Sequence, residues 1–344
     1  MSTNLHRNIS LDALRGYSIL TMALSNLAGE ILLAPHPIWL RILGSTAAPS
    51  FILISGFLMG INYNKNNYKK SYYIKRGLYL LLYSILIDIL LWRSVPIVGM
   101  DILYLFGFST ILSAYFVRLE QFWLLSISCV FFLLTPILQY FFGYEIFNLN
   151  EFSNNLQSLS FYTILKQWFV SGWFPIFPWF GVFLIGISFG KTAQIPNFIR
   201  LTNEKGIILF GFLFFLGISV WDLEPKMDSR GGYSELFYPP TLSFFLVFIS
   251  ITYFLYVFIE NFINYKIFYF LAKLGEFPLL LYILHLIFII FIYSNILKYN
   301  KVEILQFILI FLILVVILVL TVYLVKKYRN PKWKLPLFLK MLFG

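Results

Sequence analysis

Of the three histidines in the chain, one stands between two prolines, in the run Ala34-Pro35-His36-Pro37. Proline removes a backbone donor and restricts its neighbour, so a helix cannot run through this point. An imidazole titrates near neutral pH, and one held on such a break is a candidate general base. The surrounding stretch, ALSNLAGEILLAPHPIWLRILGSTAAPSFILISGF, is apolar except for Asn26, Glu30, Trp39 and Arg41. Glu30 and Asn26 are expected to hydrogen-bond the ring and set its tautomer. The plainer alternative is an ordinary loop histidine at a membrane interface.

Other polar residues interrupt apolar runs, where ionised groups are costly and therefore informative. In SLDALRG, Asp12 and Arg15 are three apart and share a helical face, which allows an ion pair, with Ser10 as the expected N-cap. A cap plus a cytoplasmic anchor explains the same residues. Asp88 and Arg93 bracket a short apolar run and are expected to face inward, pairing with each other or with Arg41. His285, within LLLYILHLIFIIFIY, is either a second catalytic or substrate contact or an interhelical hydrogen-bonder. The segment GWFPIFPWFGVFLIGISFGK carries Pro175, Pro178, Gly181, Gly186 and Gly190, which predicts a kinked element with close helix packing.

These exceptions stand out against an apolar background. The 344 residues are 60% hydrophobic, 21% aromatic and 12% charged, whereas soluble domains carry roughly 25% charged residues. That composition excludes a water-soluble enzyme and a disordered chain. A spanning helix takes about 20 apolar residues. Segments of that kind centre near Met22, Ile52, Ser84, Ser109, Val130, Phe180, Leu213, Phe248, Phe288 and Leu312. The expectation is an all-α polytopic bundle of about ten transmembrane helices, forming a single domain over residues 1–344. The N-terminal run is polar without a small-residue cleavage site, so no cleavable signal peptide is expected. Cys129 has no second cysteine to pair with, and is expected as packing filler.

The net charge is +11, and nineteen of the 26 Lys and Arg residues fall on one side when the N-terminus is placed inside. The other side receives Arg41, Arg93, Lys166, Lys226, Arg230, Lys298 and Lys301. This bias predicts both termini in the cytoplasm and an even number of spans. It explains the basic balance without nucleic acid. Lys65, Lys69, Lys70, Lys75 and Arg76 cluster between the second and third segments. Lys70, Lys75 and Arg76 are candidates for binding the phosphates of an anionic cytoplasmic substrate, with Arg15 and Arg118 as further cations, although positive-inside topology alone explains the cluster. Nothing resembles a Walker loop, a dinucleotide fingerprint or a Cys/His metal cluster, so no metal is expected.

The order SLDALRG at 10–16, Asn26, His36 with Trp39, APSFILISGFLMG at 48–60, DILYLFGFSTIL at 101–112, FPIFPWFGVFLIGISFG at 174–190, YPPTLSF at 238–244 and LLLYILHLIF at 279–288 is similar to the bacterial branch of the heparan-alpha-glucosaminide N-acetyltransferase catalytic-domain family. That family belongs to the wider transmembrane acyltransferase superfamily. The resemblance runs along nearly the whole chain. It implies a ten-helix core that moves acetyl from cytoplasmic acetyl-CoA to an amine or hydroxyl of a sugar across the membrane. The family's essential histidine lies in an H-x-x-W motif after an asparagine in the first core helix, and His36, Trp39 and Asn26 match those positions. Carried over, His36 is the base or transient acetyl carrier, and Asn26 polarises the acyl carbonyl or orients the imidazole.

Where the lysosomal relative continues with Asn-Gly and an Asp-containing segment, this chain has Leu40, Arg41 and ILGSTAAP. Its heparan sulfate contacts are therefore not implied here. A related O-acylating family shares a segment like Ser55-Gly56-Phe57, but its histidine falls where this chain has Asn26. The expected protein is a multi-pass inner-membrane acyltransferase acting on a cell-surface or periplasmic glycan. Its expected partners are the bilayer, acetyl-CoA and the acceptor, with a homodimer left open. The rival reading is a transporter or flippase, which the lack of similarity between the two halves of the chain weakens.

Overall fold

A backbone in lipid must satisfy its own hydrogen bonds, and the apolar runs do so as helices. The computed structural model describes residues 8–66, 69–144, 160–192, 204–221, 235–328 and 335–343. His6, Arg7, Arg200, Lys226, Arg230, Arg329, Lys332 and Lys334 lie outside the described residues, as does the side chain of Lys65. The described helices are α1 (Ile9–Ile31), α2 (Ile38–Asn66), α3 (Lys70–Ile87), α4 (Ile102–Phe116), α5 (Gln121–Phe142), α6 (Phe161–Lys166), α7 (Ile176–Thr192), α8 (Glu204–Trp221), α9 (Leu242–Asn261), α10 (Lys266–Leu274), α11 (Pro278–Phe291), α12 (Ile304–Tyr328) and α13 (Leu337–Phe343). Short π-helical turns extend α3, α6 and α11. The fold is all-helical; among the described residues there is no strand, only an isolated bridge between Leu32 and Val302.

All ten expected centres fall inside helices, and α6, α10 and α13 are short additions. By length and composition alone six helices suffice to cross a membrane: α2, α5, α8, α9, α11 with its π turn, and α12. The bent pair α6–α7, with 46° between its parts, makes a seventh if taken as one span. This is a multi-pass membrane protein. One local expectation is corrected: α1 is capped by Asn8, whose side chain accepts from the Leu11 amide, and Ser10 lies buried inside the helix.

The described residues group into two compact units. The first comprises the chain up to Phe51, Glu235, and everything from Ser250 onward; the second holds 52–221 and Leu236–Ile249. In the first unit α1 lies against α10, α11 and α12. A Cβ on Gly16 would run into the Leu271 carbonyl, and one on Gly275 into that of Asp12, so α1 touches the C-terminal end of α10 backbone to backbone. Higher on α1, Leu27, Ala28 and Ile31 share an apolar cluster with Leu40, Ile289 and Phe307.

In the second unit the glycines of α7 act as the sequence leads one to expect. Gly186 and Gly190 face Gly56, Phe57 and Gly60 so closely that a Cβ on any of the four glycines would strike a carbonyl. Such contacts let dispersion and close packing hold helices together where lipid is as apolar as the side chains. Phe177, just before Pro178, is non-helical and marks a kink within the first turn of α7. Trp179 sits fully buried among Phe174, Phe237, Phe244 and Phe245. Cys129, by contrast, is exposed on α5 and is not core packing. Helices α5, α8 and α12 leave most of their apolar side chains uncovered, as suits lipid-facing surfaces.

Candidate active site

The last two turns of α1 organise the polar groups of the first unit. Pro35 and Pro37 end α1 at Ile31 and allow α2 to begin at Ile38, which leaves His36 in a short connection. The connection is pinned from the far end of the chain: Leu33 donates to the Val302 carbonyl at 3.0 Å and Val302 donates to the Ile31 carbonyl at 2.7 Å. This ladder also sets Lys301 beside the loop. His36 is 6% exposed, and its Nε2 lies 3.3 Å from the Leu32 carbonyl oxygen. A carbonyl only accepts, so Nε2 carries the hydrogen and Nδ1 carries the lone pair. Nδ1 is buried and has no partner among the described residues.

Burial pushes the His36 pKa below its ordinary value of 6.5, and the Lys301 and Arg41 cations push the same way, while the Leu32 carbonyl and the Glu235 carboxylate oppose them. The ring is thus neutral at pH 7, with Nδ1 unpartnered among the described residues. Glu235 is 5% exposed and accepts from the Ser25 hydroxyl at 2.6 Å. The next residue on α1, Asn26, meets His285 of α11, with Nδ2 and Nε2 3.0 Å apart. His285 Nδ1 lies 3.2 Å from the Leu281 carbonyl, so it bears the hydrogen and Nε2 accepts from Asn26. Two hydrogen bonds expected for His36 are therefore made elsewhere: its tautomer is set by Leu32, and the Asn26 amide serves His285. Glu30 sits instead near Tyr293. Trp39, in the first turn of α2, is 46% exposed.

Asp12 and Arg15 form the expected pair, at 3.2 Å, near the N-terminal end of α1. In the second unit Asp88 takes a hydrogen bond from the Tyr104 hydroxyl at 2.5 Å. A neutral phenol thus stands where a cation was expected. Tyr104 also accepts from the Ile97 amide at 2.9 Å, and the Trp168 indole donates to the Ile97 carbonyl at 2.7 Å. Among the basic candidates of the second unit, Lys70 places its Nζ 4.4 Å from the centre of the Tyr115 ring. Lys75 and Arg76 are exposed.

Sequence reasoning missed Glu235, Ser25 and Lys301. Glu235 is one of only 15 acidic residues and stands four positions before Pro239-Pro240 in an apolar setting, which is the signal that marks it. Ser25 carries no such signal.

No curated protein sequence matches the chain. The sequence model described as heparan-alpha-glucosaminide N-acetyltransferase, catalytic, matches residues 7–205, more than half of the 344. Asn26, His36, Trp39 and the Lys70–Arg76 segment fall inside that match, while Glu235 and His285 lie beyond it. With this match and a bundle of apolar helices, the chain belongs to the heparan-alpha-glucosaminide N-acetyltransferase catalytic family, and it is a membrane acetyltransferase.

Proposed function

We propose that residues 1–344 act as one ten-span inner-membrane domain with both termini in the cytoplasm. It transfers acetyl from cytoplasmic acetyl-CoA to an amine or hydroxyl of a glycan at the outer face. The observation that supports this reading is the buried Nδ1 of His36, unpartnered among the described residues, inside the family-matched segment. Nδ1 removes the proton of the attacking amine or hydroxyl as its nitrogen or oxygen bonds to the acetyl carbonyl carbon. The thioester C–S bond breaks, and the imidazolium returns the proton to the departing thiolate, so coenzyme A leaves as the free thiol.

Asn26 has two amide hydrogens and gives one to His285. The second is available to polarise the acyl carbonyl. Trp39, Arg41 and Glu30 flank the acceptor, while Lys70, Lys75 and Arg76 meet the donor phosphates. Asp12, Arg15 and Asp88 support the helices that carry these groups.

The test uses purified protein in nanodiscs with radiolabelled acetyl-CoA and a panel of amino sugars and neutral sugars. Release of coenzyme A with label on a sugar, lost in His36→Ala at an unchanged size-exclusion profile, is the expected result. A folded preparation that neither binds nor consumes acetyl-CoA overturns the reading and favours a transporter.

A further inference from the structure

We infer that Val302, paired backbone to backbone on either side of Leu32, is the positioning residue that holds His36 as its Nε2–H tautomer. The kinetic consequence rests on the acetyltransfer reading, whereas the tautomer itself does not.

Which nitrogen of a neutral imidazole carries the hydrogen is set by the hydrogen bond the ring makes. His36 makes its bond through Nε2, to the Leu32 carbonyl at 3.3 Å. Were that carbonyl to turn away, the hydrogen would be able to settle on Nδ1, which would then no longer offer a lone pair to the proton of an attacking group. The orientation of one peptide group therefore decides which nitrogen is basic.

That peptide group is held from its opposite edge. Leu32 follows the last turn of α1 in an extended conformation, with φ −83° and ψ 136°, and forms a parallel bridge with Val302. In such a bridge one residue bonds to both neighbours of its partner. The Val302 amide donates to the Ile31 carbonyl at 2.7 Å, and the Leu33 amide donates to the Val302 carbonyl at 3.0 Å. The Leu33 N–H and the Leu32 C=O belong to one planar peptide unit and point in opposite directions. Fixing the N–H on Val302 thus aims the C=O at His36.

Val302 is itself well anchored. Its side chain is buried in an apolar cluster with Ile31, Leu40 and Phe307. The turn that delivers it is closed by hydrogen bonds of 2.9 Å from the Leu297, Tyr299 and Asn300 amides, and the Tyr299 ring packs on Tyr293 at 5.2 Å. Within this turn Lys298 and Tyr299 hold φ at 48° and 67°, left-handed values that are unfavourable for residues with a Cβ and persist where the surroundings over-determine them. A bridge needed only to fasten two segments would be indifferent to which nitrogen of His36 carries the hydrogen.

The experiment compares Leu33→Pro with Leu33→Ala in the full chain in nanodiscs. Both remove the same half-exposed side chain, but only proline removes the N–H, and Leu32 already has the extended conformation that a residue before proline prefers. Solid-state NMR of protein labelled with 15N-histidine reads the protonated nitrogen directly. The chain has three histidines, and the spectrum of His36→Ala identifies the resonances of His36. Spectra are taken at about pH 8, where neutral rings dominate. Wild type and Leu33→Ala are expected to show His36 protonated at Nε2, and Leu33→Pro to show a population protonated at Nδ1. Relative to Leu33→Ala, kcat in Leu33→Pro should fall roughly tenfold to a hundredfold, with KM for acetyl-CoA little changed.

A folded Leu33→Pro protein with the tautomer of Leu33→Ala overturns the inference, and so does a wild type protonated at Nδ1. Should Leu33→Pro not fold, Val302→Pro, which removes the bond to Ile31, is compared with Val302→Ala by the same criterion. Wild type that transfers no acetyl removes the acetyltransfer reading, while the tautomers still decide the role of Val302.

Discussion

Two buried histidines of the first unit differ in one nitrogen. His285, fully buried in α11, has both ring nitrogens engaged, Nδ1 with the Leu281 carbonyl and Nε2 with the Asn26 amide. His36, in the connection between α1 and α2, engages Nε2 and, among the described residues, keeps a buried, unpartnered lone pair on Nδ1. Burial alone therefore does not mark a reactive group. A saturated imidazole ties two helices together, whereas one with a spare basic nitrogen is equipped to move a proton. The Asp88–Tyr104 contact of the second unit belongs with His285, because Tyr104 and its neighbours Ile97 and Trp168 satisfy one another in a chain of hydrogen bonds.

The contrast breaks most visibly at His36. His36→Ala is expected to lower kcat/KM by about 10²- to 10⁴-fold, the usual contribution of a general base, at an unchanged melting temperature. Release of coenzyme A and a thermal melt of the same sample check both halves. A full-size loss in His285→Ala with an active His36→Ala would reverse the assignment.

Acidity sharpens it next. Burial and nearby cations hold the His36 pKa below 6.5, so the folded state favours the neutral ring. Activity should be flat from pH 6.5 upward and fall about tenfold per unit once pH passes below the depressed value. The sign for stability is the same: the unfolded chain binds the proton more readily, so the melting temperature declines only below about pH 6.5. His285→Gln should leave the activity limb in place.

His285→Leu leaves the Asn26 amide without its acceptor, and is expected to cost about 0.6–2 kcal/mol of stability, the range for interhelical hydrogen bonds in membranes. Activity should fall with it, by less than in His36→Ala, and His285→Gln should recover part of both. Chemical denaturation in detergent paired with coenzyme A release measures this. The smallest effect belongs to Tyr104→Phe, which removes one hydrogen bond from Asp88. A loss of about 1 kcal/mol is expected, with kcat/KM within about threefold of wild type. A larger kinetic loss would place the second unit's contact on the reactive side of the comparison.

Much of this architecture is readable along the chain because its causes are local. The ten apolar centres are all helical, the prolines around His36 break the helix where they must, Asp12 and Arg15 pair across three residues, and the small residues of α7 meet another helix. Even local reading slipped where two residues compete for one role, as Asn8 did with Ser10 for the cap of α1. The short α10 was not anticipated as a separate helix, since nine residues are too few to span a membrane.

The partners of the polar groups near the end of α1 were not readable. Asn26 finds His285 across 259 residues and Ser25 finds Glu235 across 210, and no periodicity links positions so far apart. Residue type and spacing made His36 a candidate base and made the chain a bundle of helices, because propensity, hydropathy and proline geometry act within a few residues. Which nitrogen of which histidine keeps its lone pair is another matter. That depends on every donor and acceptor brought within reach, and only packing of distant segments against the end of α1 decides it.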